Sequence, residues 1–209
     1  MSIQKAYDNW SSSYDTDENL TRDLDQQITR EALSGRHFDS ILELGCGTGK
    51  NTVFLSQIGK RVEALDFSEG MIEKARQKVS AENVRFRQTD LTRTWPVESG
   101  SYDLVVCNLV LEHIEDLTFI FAEVSRVLER NGTFLLNELH PFRQYEGKKA
   151  RYQSKEGSME IPAFVHHVSG FVKSARNSKL KLVHLDERWH ADDHPTRPPR
   201  LISFVFEKQ

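Results

Sequence analysis

The sequence feature that most constrains the fold is Glu43-Leu44-Gly45-Cys46-Gly47-Thr48-Gly49, where a short apolar run passes directly into three glycines at alternate positions. Ser40-Ile41-Leu42-Glu43-Leu44 reads as a strand, and the periodic Val53, Phe54, Leu55 and Ile58 that follow read as a helix ending at Gly59. Glycines between a strand and a helix let the backbone turn tightly and approach a ligand closely. In open α/β sheets, ligands bind at this carboxyl edge of the strands. A tight turn that holds nothing is the plain alternative, since glycines are common in turns.

The rest of the chain repeats the strand–helix rhythm. Arg61-Val62-Glu63-Ala64-Leu65-Asp66 reads as a second strand with a helix from Ser68 to Ser80, and Val84 to Gln88 as a third strand closed by Thr89-Asp90. Tyr102 to Asn108 reads as the most apolar strand, with a helix around Leu117 to Arg130; Asn131-Gly132 then turns the chain into Thr133 to Leu139. Strands alternating with helices predict an α/β fold, a parallel sheet covered on both faces. The continuous run Leu104-Val105-Val106-Cys107 suits a doubly covered central strand. A helix from about Ser169 to Ser178, a strand from Leu180 to Arg188, a proline-bearing loop and a last strand from Leu201 to Phe206 complete the order.

Two segments stand apart. Residues 1–35 are polar and acidic, with Tyr7, Trp10 and Tyr14 spaced for one helical face. Residues 141–168 break the rhythm, and Lys155-Glu156-Gly157-Ser158 looks like a hairpin turn in an insertion over the carboxyl edge of the sheet. The length of 209 residues makes one domain, 1–209, the expectation. A formal net charge of -3 argues against a protein that works by coating nucleic acid or anionic membrane. No apolar run approaches the ~18 residues of a membrane span. Cys46 and Cys107 sit in apolar stretches and form no disulfide framework, and Met1-Ser2-Ile3-Gln4-Lys5 lacks the apolar core of a signal peptide, so a cytoplasmic location is expected.

The spacing of the glycine loop narrows the ligand. A dinucleotide fingerprint wants Gly or Ala at its sixth position, where this chain has Lys50, and no phosphate-cradling G-x-x-x-x-G-K-[ST] is present. The G-x-G-x-G behind Glu43 instead resembles the first motif of the class I S-adenosylmethionine-dependent methyltransferases. Tyr7-Asp8-Asn9-Trp10 and Tyr14-Asp15 are similar to the opening of the ubiquinone- and menaquinone-type enzymes that act on small molecules, and Asn108-Leu109-Val110-Leu111-Glu112-His113-Ile114 looks like the motif that follows their fourth strand. The likeness is specific from about Tyr7 to His140.

This resemblance implies a doubly wound, mostly parallel seven-stranded sheet with the last strand antiparallel, a lid over residues 1–35 and an inserted cap after strand five. It implies S-adenosyl-L-methionine as cofactor, held by Glu43, Gly45, Cys46 and Gly47 in the loop and by Asp66, a carboxylate suited to both ribose hydroxyls. Phe67 and Met71 would wall the adenine, Asp90 with Leu91 would meet its amino group, and Asn108, Leu109 and His113 would lie beside the methionine part. Tyr14 and Arg22 would contact the cofactor's carboxylate, to which Arg is suited.

Methyl transfer from a sulfonium needs alignment and a dry pocket, and a general base only if the acceptor must lose a proton early. His140, directly after the fifth strand, is expected to point at the pocket, with His166 as the second candidate; packing or capping is the alternative for both. Arg143, Lys148, Lys149, Arg151 and Lys155 suit an anionic small substrate or a solvated loop, and Phe142, Tyr145, Tyr152 and Phe164 an apolar wall. No metal site is expected: His190-Ala191-Asp192-Asp193-His194 has ligand types at helical spacing, but the prolines after it favour a loop. The partner expected is a small-molecule methyl acceptor, with no DNA and no membrane insertion, on a monomer or homodimer. A macromolecular methyltransferase and a non-catalytic cofactor-binding subunit are the other readings. Asn108-Leu109-Val110-Leu111 lacks the Asn/Asp-Pro-Pro-Tyr of exocyclic-amine enzymes, and the retained motif acids argue against a lapsed site.

Overall fold

A computed structural model describes residues 3–16, 18–149, 151–154, 157–194 and 196–209, with backbone alone for 151–154 and 157–158. Two helices, α1 (Ile3–Trp10) and α2 (Leu20–Leu33), precede the sheet. The sheet then begins with β1 (Phe38–Leu44), α3 (Thr52–Ile58), β2 (Gly59–Asp66), α4 (Glu69–Lys78) and β3 (Val84–Gln88). It continues through β4 (Tyr102–Asn108), α5 (Leu117–Val127) and β5 (Leu128–Leu139) to α6 (Pro141–Tyr145). The insertion holds a hairpin of β6 (Arg151–Ser154) and β7 (Gly157–Glu160), and the chain closes with α7 (Val168–Asn177), β8 (Leu180–Arg188) and β9 (Leu201–Lys208).

The seven-stranded sheet runs β3-β2-β1-β4-β5-β9-β8, and β9 runs opposite to the other six strands. Alternation along the central strands divides the core between the two faces. Leu42 and Leu44 of β1, Val105 and Cys107 of β4 and Phe134 and Leu136 of β5 pack on one face with residues of α5 and α7. Ile41, Leu104, Val106 and Leu135 point to the other, with Leu33 of α2 and Leu55 of α3. Helix α5 forms because Leu117, Ile120, Phe121, Val124 and Val127 recur at helical spacing behind Asp116, which accepts from the Thr118 and Phe119 amides as an N-cap.

Boundaries differ from expectation where tertiary pairing takes over. Helix α5 stops at Val127, and the strand starts at Leu128, paired to Tyr102; the residues before Thr133 form an irregularity in that ladder. Helix α7 begins at Val168 behind His167, one residue before the expected start. The expected hairpin turn is bracketed by the pairing of Ser154 with Gly157, and Lys155 and Glu156 lie outside the described residues. Cys46 and Cys107 are both buried and free.

Candidate functional site

Where β1, β2, β3 and β4 end, their loops surround a cavity of about 570 Å³, within the range of small-molecule sites. The glycine loop forms one wall. Gly45 sits at φ 69°, and a Cβ there would come within 2.2 Å of the Val110 Cγ2 in the turn after β4, so only glycine allows that approach. Gly47 also has positive φ, and a Cβ added to it would meet no protein atom within 4 Å.

Four carboxyl groups line the cavity, those of Asp25, Glu43, Asp66 and Asp90, and the first three are buried. Asp66, ending β2, accepts the Gly47 amide at 2.8 Å and the Ser68 amide at 2.9 Å, which ties the glycine loop to the start of α4. Burial raises its pKa to about 6, against the pull of those amides. Glu43 is buried and accepts from Thr52 Oγ1 at 2.6 Å; desolvation raises it to about 8, so it carries a proton at neutral pH. Asp25 of α2 is also raised by burial, to about 6, although the Asn137 and Asn51 amides donate to it.

The roof comes from the amino-terminal segment, and its two Tyr-Asp pairs divide the work. Asp8 accepts from Ser68 Oγ at 2.6 Å, and Asp15 from Thr48 Oγ1 and Lys78 Nζ, each at 2.6 Å, so the acids fasten the segment to α4 and the glycine loop. Tyr7 and Tyr14 line the cavity. Tyr7 Oη lies 2.7 Å from His113 Nε2, and His113 Nδ1 lies 2.9 Å from the Pro162 carbonyl. A carbonyl can only accept, so Nδ1 carries the proton and Tyr7 donates to Nε2. Burial lowers the His113 pKa, which keeps the ring neutral. The Arg22 guanidinium lies 4.0 Å from the centre of the Tyr14 ring and donates to the Tyr14 carbonyl.

The cavity lining brings together Tyr14, Arg22, Glu43, Gly45, Cys46, Gly47, Asp66, Phe67, Met71, Asp90, Leu91, Asn108, Leu109 and His113. It also includes Tyr7, Asp25, Asn51 and Thr89, of which the last three carry no motif. The available signal for Asp25 was an acid beside Leu24 and Ile28 on the buried side of an amphipathic helix. The donor and acceptor set fits an amine-bearing nucleoside without phosphate: Thr89 Oγ1 is buried and unpartnered in the wall, beside Asp90.

Both histidine bases expected from the sequence lie elsewhere. His140 is buried outside the lining, accepting the Phe142 amide at its Nδ1 and donating from Nε2 to Glu187 at 2.9 Å, because it caps α6. His166 sits outside the lining too; its Nε2 bonds the Ile114 and Leu111 carbonyls and holds the turn after β4. Phe142, Tyr145 and Phe164 are exposed and lie outside the lining of the cavity, while the Tyr152 side chain lies outside the described residues. Arg143 is buried against Asp193, which also pairs with Arg200. Among the described residues, no group of three or more His, Cys, Asp or Glu is placed to hold a metal ion. No helix among them is long and apolar enough to cross a membrane.

Residues 42–136 match the family model described as a methyltransferase domain. The chain is 29% identical over 165 residues to the malonyl-[acyl-carrier protein] O-methyltransferase of Serratia marcescens, covering 79% of this chain and 63% of that protein. It is 33% identical over 150 residues to the demethylmenaquinone methyltransferase of Lactococcus lactis, covering 66% and 59%. The chain spans 30% to 63% of the length of the first three curated relatives it matches. In fold it is similar to the N-methyltransferase NodS from Bradyrhizobium japonicum, solved with S-adenosyl-L-homocysteine, at a TM-score of 0.74, 17% identity and coverage of 100% and 99%.

Proposed function

We propose that the chain is a class I S-adenosylmethionine-dependent methyltransferase and that it transfers the methyl group of S-adenosylmethionine to a small-molecule acceptor. The observation that carries the reading is the lidded cavity at the carboxyl ends of β1 to β4, where the glycine loop, a buried carboxylate and an aromatic roof converge. In this reading Asp66 receives the ribose hydroxyls, Phe67 and Met71 wall the adenine, and Asp90, Leu91 and the unpartnered Thr89 Oγ1 face its polar edge. Arg22 and Tyr14 take the carboxylate, and Asn108, Leu109 and His113 line the methionine side.

The cofactor supplies an electrophilic methyl on a sulfonium. The chain's own task is alignment and exclusion of water. Tyr7, Tyr14 and Phe67 give the cavity an aromatic lining suited to a cationic sulfur. The fastening of α1 by Asp8 and of the following segment by Asp15 keeps that lining over the glycine loop. With His140 and His166 both committed to backbone and carboxylate partners, the reading assigns neither a catalytic role.

A small acceptor is supported by relatives named for a demethylmenaquinone and for ubiquinone biosynthesis. A single domain, a cytoplasmic location, no DNA partner and a monomeric or homodimeric state belong to the same proposal. Calorimetry with S-adenosylmethionine and, separately, NAD tests it. Micromolar binding of the first and none of the second is expected; absence of S-adenosylmethionine binding would overturn the reading. A labelled methyl group recovered in the protein or RNA fraction of a cell extract would overturn the small-molecule part.

A further inference from the structure

The roof brings together two cavity-lining groups that lie 106 residues apart. Tyr7 of α1 places its Oη 2.7 Å from Nε2 of His113, in the turn after β4. The other ring nitrogen is occupied, since Nδ1 donates to the Pro162 carbonyl at 2.9 Å, so Nε2 offers its lone pair to the tyrosine hydroxyl. Among the described residues that line the cavity, His113 is the one histidine, and Lys50 is paired with Asp23. The four carboxyl groups already have donors: amides for Asp25 and Asp66, the Thr52 hydroxyl for Glu43, and Thr92 for Asp90. His113 is therefore the neutral base of this cavity.

The surroundings suit a proton that arrives there. Burial holds the Tyr7 hydroxyl well above its ordinary range and the imidazole below its own, so both are uncharged at neutral pH. Glu112 Oε1 lies 3.8 Å from His113 Nε2, and Tyr7 is faced by Glu112, Tyr14 of the roof, Asp66 of β2 and Glu138 of β5. An imidazolium would be stabilised by these acids, whereas an anionic acceptor would be repelled. We infer that Tyr7 and His113 form a proton relay for the methyl acceptor, and that the accepting group is an uncharged hydroxyl. This rests on the methyltransferase reading and deepens it. A hydroxyl oxygen is a weak nucleophile until its proton leaves, whereas a free amine or a carboxylate needs no base. As an electron pair of the acceptor oxygen forms the new C–O bond, the methyl–sulfur bond breaks and its pair stays on sulfur, leaving a neutral thioether. The hydroxyl proton passes to Tyr7 Oη while Tyr7's own proton passes to His113 Nε2. The imidazolium then returns the proton to water.

Two measurements on the full chain test the relay. In the complex with S-adenosylhomocysteine at pH 7.5, ring-nitrogen NMR should show His113 neutral, with its proton on Nδ1; a proton held on Nε2 would overturn the relay. The second measurement follows labelled methyl from saturating S-adenosylmethionine into the small-molecule fraction of a cell extract, between about pH 6 and pH 9. The wild-type rate should be level above about pH 7, because His113 is already deprotonated there. His113→Gln keeps a partner for Tyr7 without a base. It should lose ~100-fold or more at pH 7 and regain about tenfold per pH unit, as the acceptor ionises unaided. Tyr7→Phe should show the same slope. Retained S-adenosylhomocysteine binding shows that the variants are folded. Variants with wild-type rates, or with one constant loss at every pH, would overturn the relay, since a structural role alone gives no slope. Label recovered on nitrogen or as an ester would overturn the hydroxyl assignment. A wild type that labels no small molecule would instead sink the acceptor reading, and the relay with it.

Discussion

Glu43, Asp66 and Asp25 face one cavity, and burial acts on all three, yet their charge states differ. Glu43, at about 8, has only the Thr52 hydroxyl to offset desolvation, whereas Asp66 and Asp25, at about 6, each accept two N–H groups. A carboxyl raised above its unfolded value contributes stability that is complete below the unfolded pKa and is lost as pH rises through the folded one. Glu43 therefore makes the protein less stable between about pH 5 and pH 8. In Glu43→Gln, the fall in Tm across that window, followed by circular dichroism, should be shallower than in wild type. The slope that persists belongs partly to Glu138, also raised to about 8 by burial. Cofactor affinity should run the other way and weaken as pH falls through about 6, where Asp66 and Asp25 take up protons; titrations from pH 5 to 8 check this. Asp66→Ala removes the ribose acceptor and also strands the Gly47 and Ser68 amides, so a loss of at least ~10-fold in S-adenosylmethionine affinity should come with a lower Tm. An unchanged affinity would remove Asp66 from the site.

At the scale of elements, a single substitution tests one of the bonds that hold the roof. Tyr7→Phe removes the hydroxyl that donates to His113 and joins α1 to the turn after β4. At about 1 kcal/mol for one such bond, S-adenosylhomocysteine should leave roughly five times faster in stopped-flow fluorescence, with Tm little changed. Which elements exist and which residues line the cavity was largely legible in the sequence, because the glycine loop, the acids at strand ends and the Tyr-Asp pairs are local patterns. What was not legible depends on contacts between distant residues. Nothing near His140 signals that Glu187, 47 residues on, occupies its Nε2. Asp25 joins the site through Asn137, 112 residues away. The end of α5 is set by pairing of Leu128 with Tyr102, which local helical periodicity does not contain.

For the whole molecule, binding and folding are linked. If S-adenosylmethionine binds the native state alone, a concentration 100 times its Kd adds about 2.7 kcal/mol, and Tm should rise by roughly 5–10 °C. The same linkage makes the far side of the sheet measurable. Phe134, Phe206 and Phe204 stack in the core where β5 meets β9, and Phe121 meets Phe134 and Phe206 edge-on. Phe204→Ala should cost about 3–5 kcal/mol in denaturant unfolding, and the cofactor should restore part of the lost Tm.

The place of β9 has a consequence for how the protein is made. Strand β5 borders β4 on one side and β9 on the other, and β8 is bound to the sheet through β9 alone. Until Leu201–Lys208 has left the ribosome, β5 offers a bare row of amides and carbonyls, the kind of edge through which nascent chains stick to one another. Helices α1 and α2, made before the sheet, must also wait, since their resting places on α4, β5 and β9 do not yet exist. The roof of the cavity thus emerges ahead of the sheet that it settles on, and a chaperone bound to it during translation would hide none of the finished sheet.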